Sequence, residues 1–167
     1  PFFEDTDVTL PEVLKTKGYN TACFGKWHLG WNWQYEKDPS AEVEQWGRKV
    51  KYTLPNDIDW SKPITGGPLD RGFNYYFGDG TINFPPYAWV ENDRIIVPPT
   101  VEMDIKNVGF ETKEGYWEFR PGPKVEDWNP YEVLPTLTKK TVEWTDTISK
   151  KKLISTTHLQ APYIHLH

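Results

Sequence analysis

The stretch "YNTACFG", residues 19–25, sets the first constraint on this chain. It is too apolar on both faces to lie on a surface, so as a strand it must be buried between layers. Immediately before it, "TLPEVLKTKG", residues 9–18, carries the punctuation of a helix at both ends. Thr9 can cap, Glu12 three positions later closes a capping box, Pro11 is tolerated in the first turn, and Gly18 is a natural stop. Leu10, Val13 and Leu14 supply an apolar stripe. A helix leading directly into a buried strand is the pattern of α/β layer packing.

The strand delivers the chain into "GKWHLG". Ligands of open α/β sheets bind outside the carboxyl ends of strands, so this loop would overhang a site. In extended backbone Lys26 and His28 point the same way and can converge on one ligand. A fixed ammonium charge beside an imidazole suits an anionic group such as sulfate or phosphate. On spacing alone, the simpler reading is a solvated basic loop.

Further along, residues 31–72 follow neither period, as expected of a long irregular excursion, and such loops often overlie an active face. "GFNYYFG", 72–78, reads as an aromatic strand closed by glycines, and "YAWVENDRIIV", 87–97, as a hairpin turning at Asn92-Asp93. A second Gly- and Pro-rich loop runs to about Trp128. Val133, Leu137, Thr141, Trp144 and Ile148 recur at helical spacing and predict a helix from near Pro135 to Ser149. "KLISTTHLQAPY" resembles one more strand.

Composition narrows the functions. Nine Trp, nine Tyr and eight Phe sit in a chain of 167 residues; aromatic loops of this kind pack on themselves and also suit flat contacts with sugar rings. The stretches 31–60 and 80–128 are the candidates for lining a substrate cleft. A net charge of −5 without a basic block argues against nucleic acid as partner. Lys150, Lys151 and Lys152 read as a solvated helix end. Neither a membrane span nor a signal-peptide pattern is present in these residues. The single Cys23 lies inside the apolar strand and reads as a core residue. The chain opens on Pro1 and has its sole methionine at Met103, which gives the expectation of a processed product or a fragment.

The run from Thr9 to Gly30 resembles the second signature of the sulfatase family, in which Gly-Tyr-x-Thr leads through a short strand to Gly-Lys-Trp-His. Gly18, Tyr19, Thr21, Gly25, Lys26, Trp27 and His28 carry the match. "GPLDRGFNYYFG" is similar to the family's Gly-Phe-Asp-Tyr strand, with Asn74 where aspartate is usual. "FPPYAWVENDR" and "VLPTLTKKTVEW" look like segments of bacterial arylsulfatase-type sequences. The resemblance implies sulfate-ester hydrolysis on an alkaline-phosphatase-like scaffold, through a formylglycine nucleophile and a divalent cation, usually calcium. It makes Lys26 the contact to nucleophile and sulfate, and His28 the partner of the formylglycine hydroxyl. The implied fold is α/β, an incomplete domain with a mixed, largely parallel sheet flanked by helices and long aromatic-rich loops.

Other parts of the family pattern are missing. The Cys or Ser followed by x-Pro-x-Arg, the paired metal aspartates, the later Asp-Asn pair and the second lysine do not occur. Residues 1–167 are therefore expected to be part of a sulfatase catalytic domain, without its nucleophile block, calcium ligands or C-terminal part, and inactive alone. No metal ligand is assigned within the chain. In "LQAPYIHLH", Tyr163 takes the place of a sulfate-contacting histidine, with His165 two residues on as a substitute contact. His158, His165 and His167 offer a zinc site as an alternative, although the carboxylate or thiolate partners of structural zinc are not evident. The expected partner is a sulfated small molecule or glycan, and the family implies a periplasmic, secreted or lysosomal location. Two other readings stand beside this one: a phosphohydrolase of the same superfamily, or a non-catalytic protein binding sulfated glycans.

Overall fold

The computed structural model describes residues 3–4, 6–36, 42–45, 48–51, 58–80, 83–103, 111–112, 115–116, 120, 122–150 and 155–160. Helix α1, Leu10–Thr16, forms where its capping box predicts. The Thr9 side chain accepts from the Glu12 backbone, and Glu12 Oε2 accepts from the Thr9 N–H at 2.7 Å. These bonds satisfy donors that a helix start otherwise leaves open. The expected apolar stripe is not covered, however: Leu10 and Val13 remain exposed.

Strand β1, Asn20–Lys26, is buried along five consecutive residues, on both of its faces. The excursion that follows is more ordered than its sequence suggests. It contains a hairpin of β2, Glu42–Gln45, and β3, Arg48–Lys51, whose register sets Glu42 opposite Lys51 and Glu44 opposite Lys49. Bridges from Asn32 to Thr65 and from Tyr35 to Ile58 fold the excursion back on itself. Strand β4, Tyr75–Gly80, then returns beside β1. Strands β5, Val90–Glu91, and β6, Arg94–Ile95, form the predicted hairpin, with Asn92 at φ 59 in its two-residue turn.

Short ribbons occupy the second loop: β7, Val101–Met103, pairs β10, Gly122–Lys124, and β8, Glu111–Thr112, pairs β9, Gly115–Tyr116. Helix α2, Val133–Lys150, begins two residues before the predicted start and ends one after the predicted end. It buries Val133, Leu137 and Ile148. Its Trp144 stacks on Tyr75 at 6.3 Å and meets Phe24 edge-on at 6.1 Å, fixing the helix to β1 and β4. Strand β11, Ser155–Gln160, completes the main sheet in the order β11-β1-β4-β5-β6.

The largely parallel sheet expected from the family resemblance is corrected here. Parallel strand pairs are confined to β1, with β11 on one side and β4 on the other; every other described strand pair is antiparallel, and an isolated bridge between Tyr87 and Lys124 is parallel. The reason is connection length. A parallel neighbour needs a crossover of roughly a dozen residues or more. The chain supplies one from β1 to β4 and another through α2 to β11, whereas a two-residue turn makes β5 and β6 antiparallel.

One buried hydroxyl ties the two central strands together. Tyr76 is fully buried, donates to the Gly25 carbonyl at 2.8 Å and accepts from the Gly80 N–H at 3.4 Å. Gly25, at φ +100, makes the irregularity that shifts the β1–β4 register between Phe24 and Lys26. Gly78 leaves room for this knot: a Cβ there would stand 2.0 Å from the Gly25 carbonyl oxygen and 2.4 Å from the Tyr76 hydroxyl. Tyr76→Phe is expected to lower stability by about 1–3 kcal/mol, the cost of stranding a buried carbonyl. Gly78→Ala is expected to be worse, because its nearest obstacle is backbone. Urea titration of both variants checks the order; a Gly78→Ala protein as stable as wild type would contradict the packing.

Candidate functional site

The site is built on the loop that leaves β1. Trp27 is buried, stacks on Phe3 at 6.1 Å and meets Phe73 edge-on. Its indole N–H donates to the Gly30 carbonyl at 3.0 Å, and the Trp31 indole N–H donates back to the Trp27 carbonyl at 3.1 Å. Gly30, at φ +111, allows the chain to close this double clasp. His28 therefore projects from a turn pinned at both ends, exposed and with its ring 5.6 Å from that of Phe84.

Lys26 ends β1 just beyond the Gly25 irregularity and is partly buried. It acts electrostatically on both His28 and Asp79, so the two residues singled out from sequence do share one region. A second cation joins them. Arg120 lies over the same Phe84 ring that His28 meets, its guanidinium carbon 3.9 Å from the ring centroid. The Tyr87 hydroxyl holds its backbone, donating to the Arg120 carbonyl at 2.6 Å and accepting from its N–H at 2.9 Å. Sequence reading did not find Arg120, which sits alone in a Gly- and Pro-rich stretch with no spacing signal.

These charges set the protonation of His28. Partial burial first, then Lys26 and Arg120, push its pKa below the ordinary value. At neutral pH His28 is thus a neutral imidazole able to donate or accept, and the fixed positive charge comes from Lys26 and Arg120. Cys23, by contrast, is buried and its thiol is pushed up to about 12, so it offers no thiolate.

Beside the loop lies a cavity of about 200 Å³ walled by Trp27, His28, Trp31, Trp33, Phe84 and Asp79. Both aromatic stretches noted in the sequence contribute to it. Asp79 is 6% exposed, and its Oδ2 has no hydrogen-bond partner among the described residues. Burial raises its pKa to about 6, while a hydrogen bond from its own backbone N–H and then Lys26 pull in the other direction. Sequence reading missed Asp79, because the expected strand stopped at Gly78 whereas β4 continues to Gly80.

Asn74 lies at the other end of the sheet. Its Oδ1 accepts from the Thr21 N–H at 3.1 Å and from the Thr21 hydroxyl at 3.3 Å, and the same hydroxyl donates to the Gly72 carbonyl at 3.0 Å. Its role is to join the starts of β1 and β4, where a neutral amide oxygen serves as acceptor. Tyr163, His165 and His167 lie outside the described residues, as does the side chain of His158, so neither the sulfate-contact nor the zinc reading meets a described atom. No group of three or more His, Cys, Asp or Glu side chains close enough to hold a metal ion exists among the described residues. The calcium site implied by the resemblance does not fit the described residues, and no chemical step is assigned through it.

The Asp79 pKa makes a stability prediction. A carboxyl at about 6 when folded and near 3.9 when unfolded favours folding most below the unfolded value. That advantage is lost as pH rises through 6. Asp79→Asn, which cannot ionise, is expected to raise the melting temperature at pH 8 and to change it little at pH 4. An equal shift at both pH values would contradict an ionised, desolvated Asp79.

Three comparisons bear on this geometry. The family model described as Sulfatase matches residues 3–154. An N-acetylgalactosamine-6-O-sulfatase of Bacteroides thetaiotaomicron is 30% identical over 112 residues, covering 66% of this chain and 17% of that protein. A solved chain described with the metabolism of multiple glycosaminoglycans by the same organism superposes with a TM-score of 0.61 at 17% identity, covering 99% of this chain and 35% of the other. The matches thus span about a sixth and a third, respectively, of the lengths of these relatives. With the family model matching nearly its whole length, this chain belongs to the sulfatase family.

Proposed function

We propose that this chain is part of the catalytic domain of an arylsulfatase-type enzyme that cleaves sulfate esters of glycans. The observation that carries the reading is the grouping of Lys26, His28 and Arg120 beside an aromatic cavity. Sulfate transfer accumulates negative charge on the ester oxygens, and prepositioned cations and hydrogen-bond donors stabilise that charge as it develops. In this proposal Lys26 supplies the compact charge against the sulfate, and neutral His28 holds or moves the proton on the nucleophile's hydroxyl. A formylglycine would be the nucleophile. Neither it nor the Cys or Ser x-Pro-x-Arg pattern from which it forms is found in these 167 residues, so another segment of the full-length protein would supply it. Calcium, if used, would likewise be held by residues other than the described ones.

A sulfated hexosamine is the substrate class this reading favours. The curated relative acts on N-acetylgalactosamine 6-O-sulfate according to its name, and aromatic walls suit the apolar face of a sugar ring. An exported location accompanies a glycan substrate.

In the full-length protein, Lys26→Ala and His28→Ala are each expected to lower sulfate-ester turnover by about a hundredfold or more, the scale of a lost transition-state contact. Lys26→Arg is not expected to rescue, since a planar fork does not replace a compact ammonium. Near-wild-type turnover in folded variants would overturn the assignment. The 167 residues alone are expected to be inactive on an aryl sulfate, with Cys23 buried and protonated. Nuclear magnetic resonance titration offers an independent check: inorganic sulfate is expected to raise the depressed His28 pKa, because an anion offsets Lys26 and Arg120. A His28 titration that does not respond to sulfate would contradict an oxyanion site here.

A further inference from the structure

Asp79 is unexplained by sulfate chemistry. An anionic ester gains nothing from a carboxylate in its cavity, and burying an unpaired carboxylate is costly. Yet Asp79 is 6% exposed, lines the cavity, and leaves Oδ2 without a hydrogen-bond partner among the described residues. The surrounding fold holds it in place: it lies between Gly78, which has no room for a side chain, and Gly80, whose N–H donates to Tyr76. Lys26 bears on it electrostatically, so the carboxylate stands near the cation assigned to the sulfate. Around it are Trp31, Trp33 and Phe84, with Trp31 and Trp33 rings 6.0 Å apart. The remaining wall, Pro85, Pro86 and Val90, is apolar and supplies no side-chain donor.

An acceptor oxygen without a donor among the described residues, in a largely aromatic cavity, is completed by a ligand that brings donors. The ligand must not be anionic at that point, because an anion would be repelled. It must have a flat apolar face for the rings and hydroxyls at its edge. A sugar ring meets all three conditions, and the cavity's volume of about 200 Å³ is below the roughly 300–1,000 Å³ of sites for drug-sized ligands, which favours one ring over an oligosaccharide.

We propose that Asp79 is a specificity-determining residue that accepts hydrogen bonds from hydroxyls of the sugar ring whose sulfate is held by Lys26 and His28. This rests on the sulfatase reading and adds to it the group that distinguishes a sugar sulfate from other sulfate esters. A buried acceptor built for a hydroxyl penalises a ligand without one, because it is then left unpaired.

The test uses the full-length protein and two esters: a 6-O-sulfated hexosamine and an aryl sulfate, which lacks sugar hydroxyls. The readout is the ratio of their kcat/KM values. Asp79→Asn keeps the shape and removes the charge, and is expected to lower that ratio roughly tenfold to a hundredfold, the difference made by a charge-assisted bond. Asp79→Ala is expected to lower it further. Circular dichroism melting confirms that both variants fold, and Asp79→Asn relieves a buried charge, so its folding is not at risk. A ratio unchanged in the folded variants, whether both activities fall together or neither falls, overturns this proposal and leaves the sulfatase reading standing. Wild-type protein that cleaves neither ester overturns both.

Discussion

The hydroxyl of Tyr76 is the point on which the rest of the site depends. A single buried oxygen bridges the Gly25 carbonyl of β1 and the Gly80 N–H of β4. It holds β1 at its irregularity, where the register with β4 changes and the chain turns into the Lys26–His28 loop. The same bridge fixes the end of β4, and with it Asp79. Gly78 exists to let the two strands approach this closely, since any side chain would collide with β1 backbone. A cation and a carboxylate are thereby set on neighbouring strands by one packing arrangement, without an ion pair joining them among the described residues.

The charge distribution follows from that arrangement. Partial burial, then Lys26 and Arg120, depress the pKa of His28, while burial raises that of Asp79. Each shift leaves a group in the protonation state suited to a different partner. A neutral imidazole flanked by two cations can manage a proton while the cations face an oxyanion. A desolvated acceptor among indole rings faces neutral hydroxyls. The aromatic wall strengthens both effects by excluding water, because charges interact more strongly where the local dielectric is low. Phe84 is shared between them: its ring meets His28 and carries the Arg120 guanidinium.

Signals confined to a few neighbouring residues were readable in the sequence. The Thr9–Glu12 capping box, the apolar run of β1, the Asn92-Asp93 turn and the helical spacing from Val133 to Ile148 all correspond to observed elements. Features set by distant pairing were not readable. The proportion of parallel strands depends on which crossovers occur, and local periodicity carries no trace of that. The β2–β3 hairpin did leave a signal, acidic positions facing basic ones across Gln45 and Arg48, but charge complementarity is invisible to a search for apolar alternation. Asp79 and Arg120 acquire their significance only from burial and from Phe84, respectively. Lys26 and His28 were singled out by family resemblance rather than by spacing.

The most direct test of this account is a crystal structure of the full-length protein bound to a 6-O-sulfated hexosamine. The account predicts the sulfate within hydrogen-bond distance of Lys26 Nζ and the His28 ring, with the sugar against the Trp31, Trp33 and Phe84 wall and a ring hydroxyl donating to Asp79. A sulfate bound away from Lys26 and His28, with the aromatic cavity empty, would contradict it.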